Sequence, residues 1–190
     1  MFRIGLTIFF LSLAACAYSP QQITINPVID TSGERYGEGR PVSVKVEDRR
    51  ENKIIGSRGG IYKETSLITV SNDMGAAIVR ATEAKLATQG FNVNSTAEQI
   101  PAQLTVVIEQ LSYEVPEQSL GKKVMLKAVF LVEASSHGET YTGRYETSSQ
   151  QQTVVTPNTA RNEEMINALI SETLARSFTD PKLKAFLSNI

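Results

Sequence analysis

Alternating hydrophobic and polar positions predict β-strands along much of this chain. Residues 42 to 46 alternate valine with polar residues, and residues 66 to 70 form a second short apolar run. A period of two places one face of a strand against a core. Residues 103 to 115 carry apolar side chains on both faces, which is typical of a central strand. Residues 123 to 134 and 141 to 149 alternate again on either side of an SSHGET turn, which predicts an antiparallel meander of three strands.

Two longer stretches have helical periodicity instead. Residues 71 to 73 all carry oxygen acceptors that can cap a helix, and Gly90 follows as a stop signal. Residues 160 to 178 repeat apolar positions every three to four residues, and Pro181 begins a short last helical segment. The order of these elements predicts an α+β fold, with a mixed, mostly antiparallel sheet of four to five strands and two helices packed on one face.

The strongest apolar run, residues 4 to 13, lies ahead of this pattern. Ten residues at about 1.5 Å each cover about half of a hydrocarbon core, so the run is too short to stay in a membrane as a spanning helix. Arg3 precedes it, and the small residues Ala14 and Ala15 follow it. That order is typical of an export signal. The alternative is a buried N-terminal element, and for this the sequence offers no cap or turn.

The motif Leu13-Ala14-Ala15-Cys16 ends the signal and resembles the lipobox of bacterial lipoproteins. The resemblance implies that residues 1 to 15 are a signal peptide that is removed, and that a diacylglycerol group is attached to the sulfur of Cys16. It also implies that the new amino terminus receives an N-acyl chain. Two or three acyl chains anchor a protein stably, whereas a single chain binds a membrane reversibly.

Position 17 predicts the membrane, and the residues after it predict the reach of the tether. Ala17 stands where lipoproteins retained at the inner membrane carry aspartate, which favours the outer membrane, facing the periplasm; display on the cell surface stays open as an alternative. Residues 16 to 22 are the lipidated cysteine and a short tether that reaches at most roughly 20 Å. Residues 23 to 29 are predicted to dock as an edge strand and so begin a single domain over residues 23 to 190. If they do not dock, the tether grows to about 24 residues and about 80 Å.

Composition excludes several classes of function. Nineteen Lys and Arg balance 20 Asp and Glu, and no long basic run is present, so nucleic-acid binding is not expected. A hydrophobic content of 41% is that of a folded domain. Cys16 is the only cysteine, so once it is lipidated the chain has no thiol left for a disulfide.

The sequence contains no recognisable catalytic or metal-binding set. Its one histidine, His137, lies in the predicted SSHGET turn, where a solvated side chain is expected. One histidine and one lipidated cysteine are too few for a zinc site, and no serine stands in a nucleophile-elbow pattern. We therefore expect no enzyme activity, no metal and no cofactor other than the lipid on Cys16.

Several motifs together resemble the YajG-type lipoproteins of Gram-negative bacteria. They are LAAC, INPVI after the tether, VSVKVEDRR, the helix end ATQGF, the strand LTVVIEQLSY and the C-terminal helix with its closing FL. The resemblance covers nearly the whole chain. It implies a fold and a location, and it assigns no role to individual residues.

Two hypotheses of function follow from the sequence. The first is an interaction module tethered to the membrane that docks on an envelope protein, for example by adding a strand at an exposed sheet edge. The second is a carrier for a small apolar or glycan ligand held between helices and sheet, which requires a sizeable apolar pocket. The candidate contact residues for the first are a charged loop, Asp48, Arg49, Arg50 and Arg58, and a sheet face with Lys123, Lys127 and Arg144.

Overall fold

A seven-stranded mixed sheet forms one layer of the molecule. The computed structural model describes residues 19–60, 63–93, 102–116 and 122–190. Neighbouring strands follow the order β1-β4-β3-β5-β6-β7, and β2 pairs with β5. The strands are β1 (Gln21–Ile23), β2 (Val42–Asp48), β3 (Gly56–Ser57), β4 (Leu67–Val70), β5 (Ala102–Glu114), β6 (Lys122–Ser136) and β7 (Glu139–Thr153).

Three helices pack on one face of this sheet. They are α1 (Met74–Thr88), α2 (Thr159–Phe178) and α3 (Pro181–Ser188). Each begins at a side-chain cap, because Asp73, Asn158 and Asp180 accept hydrogen bonds from backbone N–H groups in the first turn. Apolar residues from all three helices and from the facing side of the sheet form one buried core. A short 3-10 turn, Lys63–Thr65, precedes β4.

The central strand, β5, has two different partners along one of its edges. β2 runs parallel to residues 102 to 108, and β3 pairs in parallel with Tyr113 further along. Between these pairings, residues 49 to 55 leave the sheet as a loop, and the register of β5 with β6 shifts between Ile108 and Gln110. The chain returns at Gly56, where a Cβ atom would lie 1.9 Å from the carbonyl oxygen of Tyr113.

Residues 24 to 28 continue β1 as an extended segment held by side chains of α2. The N–H groups of Thr24, Asn26 and Val28 donate to Glu163 Oε1, Asn167 Oδ1 and Ser171 Oγ at 2.7, 2.7 and 2.9 Å. The three acceptors are spaced i, i+4 and i+8, which places them in a row along the helix. Odd-numbered side chains of this stretch point into the core, and Ile23, Ile25 and Ile29 are almost fully buried as a result.

The structure confirms the mixed α+β class and corrects two numbers. The sheet has seven strands, so the predicted four to five is wrong. The prediction missed β3, because a strand of two residues shows no alternation. The short last helical segment predicted from Pro181 is α3, and it packs on the same face, so three helices cover this face instead of the predicted two. The docking of the segment after the tether is confirmed, and β1 begins at Gln21, two residues before the predicted start of the domain.

Candidate functional site

The predicted charged loop falls into two separate places in the structure. Arg50 is buried, with its side chain 5% exposed, and its Nε and Nη2 donate to the two carboxylate oxygens of Asp48 at 2.9 Å each. Burial alone raises the pKa of Asp48, but hydrogen bonds from Arg50, the charge of Arg50 and a hydrogen bond from Lys53 outweigh burial and lower that pKa to about 2. The pair therefore joins a buried guanidinium to a partly exposed carboxylate at the point where the chain leaves β2.

Arg49 and Arg58 lie apart from that pair. Arg49 is exposed and pairs with Glu47 at 2.6 Å. Arg58, half-buried, donates from Nη1 to the carbonyl oxygen of Ser19 at 3.1 Å and from Nη2 to that of Pro157 at 3.4 Å. The structure therefore pairs Asp48 with Arg50, directs the Arg49 side chain to Glu47 instead, and places Arg58 at the start of the domain. A partner surface made from these four residues stays a prediction.

The predicted basic sheet face is balanced by acids. This outer face of the sheet lies opposite the helices. On it Lys127 pairs with Glu146 at 2.8 Å, and Arg144 contacts Glu109 at 2.9 Å and Glu146 at 3.6 Å. These side chains surround the buried outer-face residue Val129. At Lys127 and Arg144 the face therefore presents paired charges of both signs, whereas Lys123 lies near the start of β6, opposite Gln152.

Strand β7 offers the longest free edge among the described residues. It ends the strand order of the sheet, and fifteen consecutive residues pair with β6 without a bulge. The hairpin closes through His137 and Gly138, both at positive φ, so Ser136 and Glu139 form the first hydrogen-bonded pair. Because backbone groups alternate in direction along a strand, every even-numbered residue from Thr140 to Gln150 points its N–H and C=O groups away from β6.

The inner face of β7 is fixed to the helices. The hydroxyls of Tyr141 and Tyr145 donate to Oδ2 of Asp180 at 2.9 and 2.8 Å. Burial, with the Tyr141 hydroxyl and the Asp180 carboxylate beside it, raises the pKa of Tyr145. Asp180 also caps α3. The free edge is thus held on a rigid scaffold.

Open grooves lie beside the sheet and also at two helix-sheet junctions. One of about 550 Å³ lies between β2, β4 and the start of α1, and one of about 380 Å³ lies between the β6-β7 hairpin and α3. Another open groove, of about 750 Å³, lies beside Gly56, Leu67, Tyr113 and Val115. At the centre of the helix-sheet interface, the region where a carrier would hold its ligand, the described side chains form the packed core. Within the same residues, no group of three His, Cys, Asp or Glu side chains is placed to hold a metal ion. The helices that the structure describes include none that is long and apolar enough to cross a membrane.

Comparison with known proteins identifies the family. A family model described as uncharacterized lipoprotein matches residues 27–188. The chain belongs to this family. Its lipoprotein character agrees with the LAAC motif and confirms the resemblance to YajG-type lipoproteins, and it indicates a membrane-associated place in the cell envelope. The lipobox residues, Leu13 to Cys16, lie outside the described residues.

Several solved structures are similar to this lipoprotein at low sequence identity. A Xanthomonas campestris protein is 11% identical with a TM-score of 0.48, over 91% of this chain and 96% of its own. A minor lipoprotein from Acinetobacter baumannii is 10% identical with a TM-score of 0.44, over 83% and 95%. A neuraminyllactose-binding hemagglutinin homolog from Helicobacter pylori is 8% identical with a TM-score of 0.46, over 85% and 97%. These similarities assign no activity to the chain. Among the curated proteins, none matches it.

Two features of the structure were not predicted from the sequence. The row of Glu163, Asn167 and Ser171 was visible as a polar stripe on α2, but a polar stripe is normally a solvated face. The position of β7 at the sheet edge leaves no mark in its own sequence, because an edge strand and an inner strand can share the same alternation. Only the pairing partners distinguish them.

Proposed function

We propose that this protein is a periplasm-facing outer-membrane lipoprotein, anchored through Cys16, that works as a non-enzymatic interaction module. Its partner is another envelope protein, which adds an extended segment to the free edge of β7. Membership of a lipoprotein family supports the anchor, and the geometry of β7 supports the mode of docking.

The observation that carries this proposal is that β7 lacks most of the usual protection of an edge strand. Edge strands are normally short, bulged, interrupted by proline or covered by another element. β7 has fifteen residues with unbroken register and no proline. No hydrogen bond of the described residues uses the outward backbone groups of Thr142, Arg144, Glu146 or Ser148. By contrast, the extended segment after β1 is covered by the side chains of α2.

The side chains beside this edge indicate the kind of segment that fits. The even-numbered positions of β7 are exposed on the outer face and include Thr142, Ser148 and the charge-paired residues Arg144 and Glu146. Opposite charges across neighbouring strands stabilise pairing, and like charges oppose it. A polar segment with an acid opposite Arg144 and a base opposite Glu146 suits the edge, and its main-chain hydrogen bonds supply most of the affinity.

A proline at an outward position tests strand addition. Thr142→Pro removes one outward N–H group and leaves the hydrogen bonds between β6 and β7 in place, because proline is tolerated at the free edge of a sheet. With a photo-crosslinking residue at Ser148, we expect adducts in cells expressing the otherwise wild-type protein and loss of those adducts with Thr142→Pro. The measurement is the adduct yield on a gel, followed by mass spectrometry.

Thr142→Val is the matched control, because it changes the same side chain and keeps the N–H group. Adducts should persist with Thr142→Val, and both variants should unfold within about 1 kcal/mol of wild type. Adducts that are equal in the proline and valine variants would exclude strand addition at this edge. If the adduct is a second copy of the chain, the partner is the protein itself.

Cys16→Ser tests the anchor. Because the thiol is the acceptor of the lipid, we expect the variant to lose labelling by radioactive palmitate and to accumulate as unprocessed precursor. Ala17→Asp is the companion variant. It keeps Cys16, so labelling should persist while the protein moves from outer-membrane to inner-membrane fractions. Palmitate labelling that survives in Cys16→Ser would contradict the lipobox assignment.

A further inference from the structure

The anchor end of the domain gathers the start of the described chain and the loop after β7. β1 is parallel to β4, which is antiparallel to β3, and β3 is parallel to β5. β5, β6 and β7 are successively antiparallel. These directions place the start of β1 and the end of β7 at the same end of the sheet. We define the anchor end by Ser19, Arg58 and residues 153 to 157.

Direct contacts hold this end together. The guanidinium of Arg58 donates to the carbonyl oxygens of both Ser19 and Pro157. Ser19 follows Cys16 by three residues, a span of at most about 10 Å. A lipid on Cys16 therefore holds the bilayer surface within a short distance of Pro157 and of the loop that precedes it.

That loop exposes two valines. Val154 is 99% exposed and Val155 is 72% exposed, and they are among the few large hydrophobic side chains of the described residues that lie open to solvent. Moving an exposed pair of adjacent apolar side chains out of water lowers the free energy of the system. Nearby, Arg161 on the first turn of α2 is paired with Glu164, so the neighbouring charge on this helix is balanced.

We propose that Val154 and Val155 insert into the outer part of the bilayer and seat the domain on the membrane with its anchor end down. The inference rests on the proposed lipid anchor at Cys16. Two valines contribute too little to bind a free protein to a membrane. A tether of this length turns the contact into an intramolecular one at high effective concentration, so a weak apolar contact is enough. Because the contact is apolar, it does not depend on anionic lipids.

The absence of tryptophan from the chain provides a clean reporter. The lipidated protein, purified from membranes, is reconstituted into vesicles of phosphatidylethanolamine and phosphatidylglycerol as a Val154→Trp variant. We expect a blue-shifted emission that is quenched by brominated acyl chains. Glu139→Trp, in the exposed part of the hairpin at the opposite end of the sheet, is the matched control and should stay red-shifted and unquenched.

Because tryptophan itself favours membrane interfaces, a second pair of variants avoids it. With Cys16 carrying lipid, Val154→Cys and Glu139→Cys each provide one free thiol for a water-soluble maleimide. We expect Val154→Cys to react more slowly than Glu139→Cys on vesicles, including vesicles without anionic lipid. Equal rates at the two positions would overturn the proposal.

The mass of the purified protein distinguishes a missing lipid anchor from a missing membrane contact at Val154 and Val155. A mass without acyl chains contradicts the anchor itself. A mass with acyl chains, combined with a solvent-exposed position 154, contradicts only the seating of the domain.

Discussion

Gly56→Ala should destabilise the fold by about 3 kcal/mol, near the upper end of the cost of overpacking. The added Cβ would lie 1.9 Å from the carbonyl oxygen of Tyr113 and 2.8 Å from its carbonyl carbon, and both belong to the backbone of β5. A backbone atom cannot rotate away as a flexible side chain can. The substitution therefore forces β3 out of the gap between β4 and β5, at the junction that joins the two parts of the sheet. Urea unfolding measures the loss as a lower midpoint.

Gly75→Ala is the matched control for this prediction. Gly75 lies in the first turn of α1, and its added Cβ would find Asp73 Oδ1 at 3.3 Å and Val46 Cγ1 at 3.9 Å. Alanine is the better helix former, by up to about 1 kcal/mol, so stability should stay level or rise. Equal unfolding midpoints for Gly56→Ala and wild type would show that β3 is not a tight junction.

Asp48→Asn should lower the free energy of unfolding by about 1 to 2 kcal/mol at neutral pH, because solvent at the partly exposed Asp48 carboxylate screens part of the interaction. The variant keeps the shape of the side chain and removes the negative charge beside Arg50, whose side chain is 5% exposed. A buried guanidinium without its counterion costs more than the loss of an exposed pair. Glu47→Gln is the control, because Glu47 and Arg49 are about half exposed and their pair contributes at most about 1 kcal/mol.

The Asp48-Arg50 pair also predicts how the free energy of unfolding falls at acid pH. The pKa of Asp48 is lowered from 3.8 to about 2 by Arg50. The pair therefore stabilises the fold fully above pH 3.8, and this stabilisation is lost as the pH falls towards 2. Wild type should lose stability more steeply than Asp48→Asn between those values, as measured by urea midpoints at each pH. Parallel pH profiles would contradict the assignment of this shift to Asp48.

The burial of Arg50 in the Asp48-Arg50 pair affects how the partner surface predicted from the sequence can be tested. A double substitution of Arg49 and Arg50 that abolished partner binding could act through unfolding, because Arg50 is an internal residue. Arg49→Ala alone tests that surface, since Arg49 is exposed. Loss of adducts in Thr142→Pro and their retention in Arg49→Ala would place the contact at β7 rather than at the charged loop.

The two proposals together give the domain an orientation. β7 ends beside Val154 and Val155, at the anchor end, and begins at the far end of the sheet. With the valines in the bilayer, the free edge of β7 rises from the membrane into the periplasm. A partner segment that adds to this edge would then run away from the membrane along the domain.

Most of the regular elements were predictable because their signals are local. The start of α1 after residues 71 to 73 and the start of α3 at Pro181 were predictable from residue types within one turn. The alternation over residues 103 to 115 identified β5 as a central strand, because a strand covered on both faces needs apolar residues on both. β3 was not predictable, because two residues carry no period and its place depends on how closely Gly56 approaches Tyr113.

By itself, the sequence determined the class of the protein: a motif that resembles a lipobox and contains the single cysteine, a folded α+β domain, and no recognisable catalytic set. These are properties of residue types at fixed spacing along the chain. The tertiary structure decided which strand lies at the edge, which arginine is buried and which loop shares an end with the anchor. Each of these depends on contacts between residues far apart in sequence, such as Arg58 with Ser19 and Pro157, and local periodicity does not record such contacts.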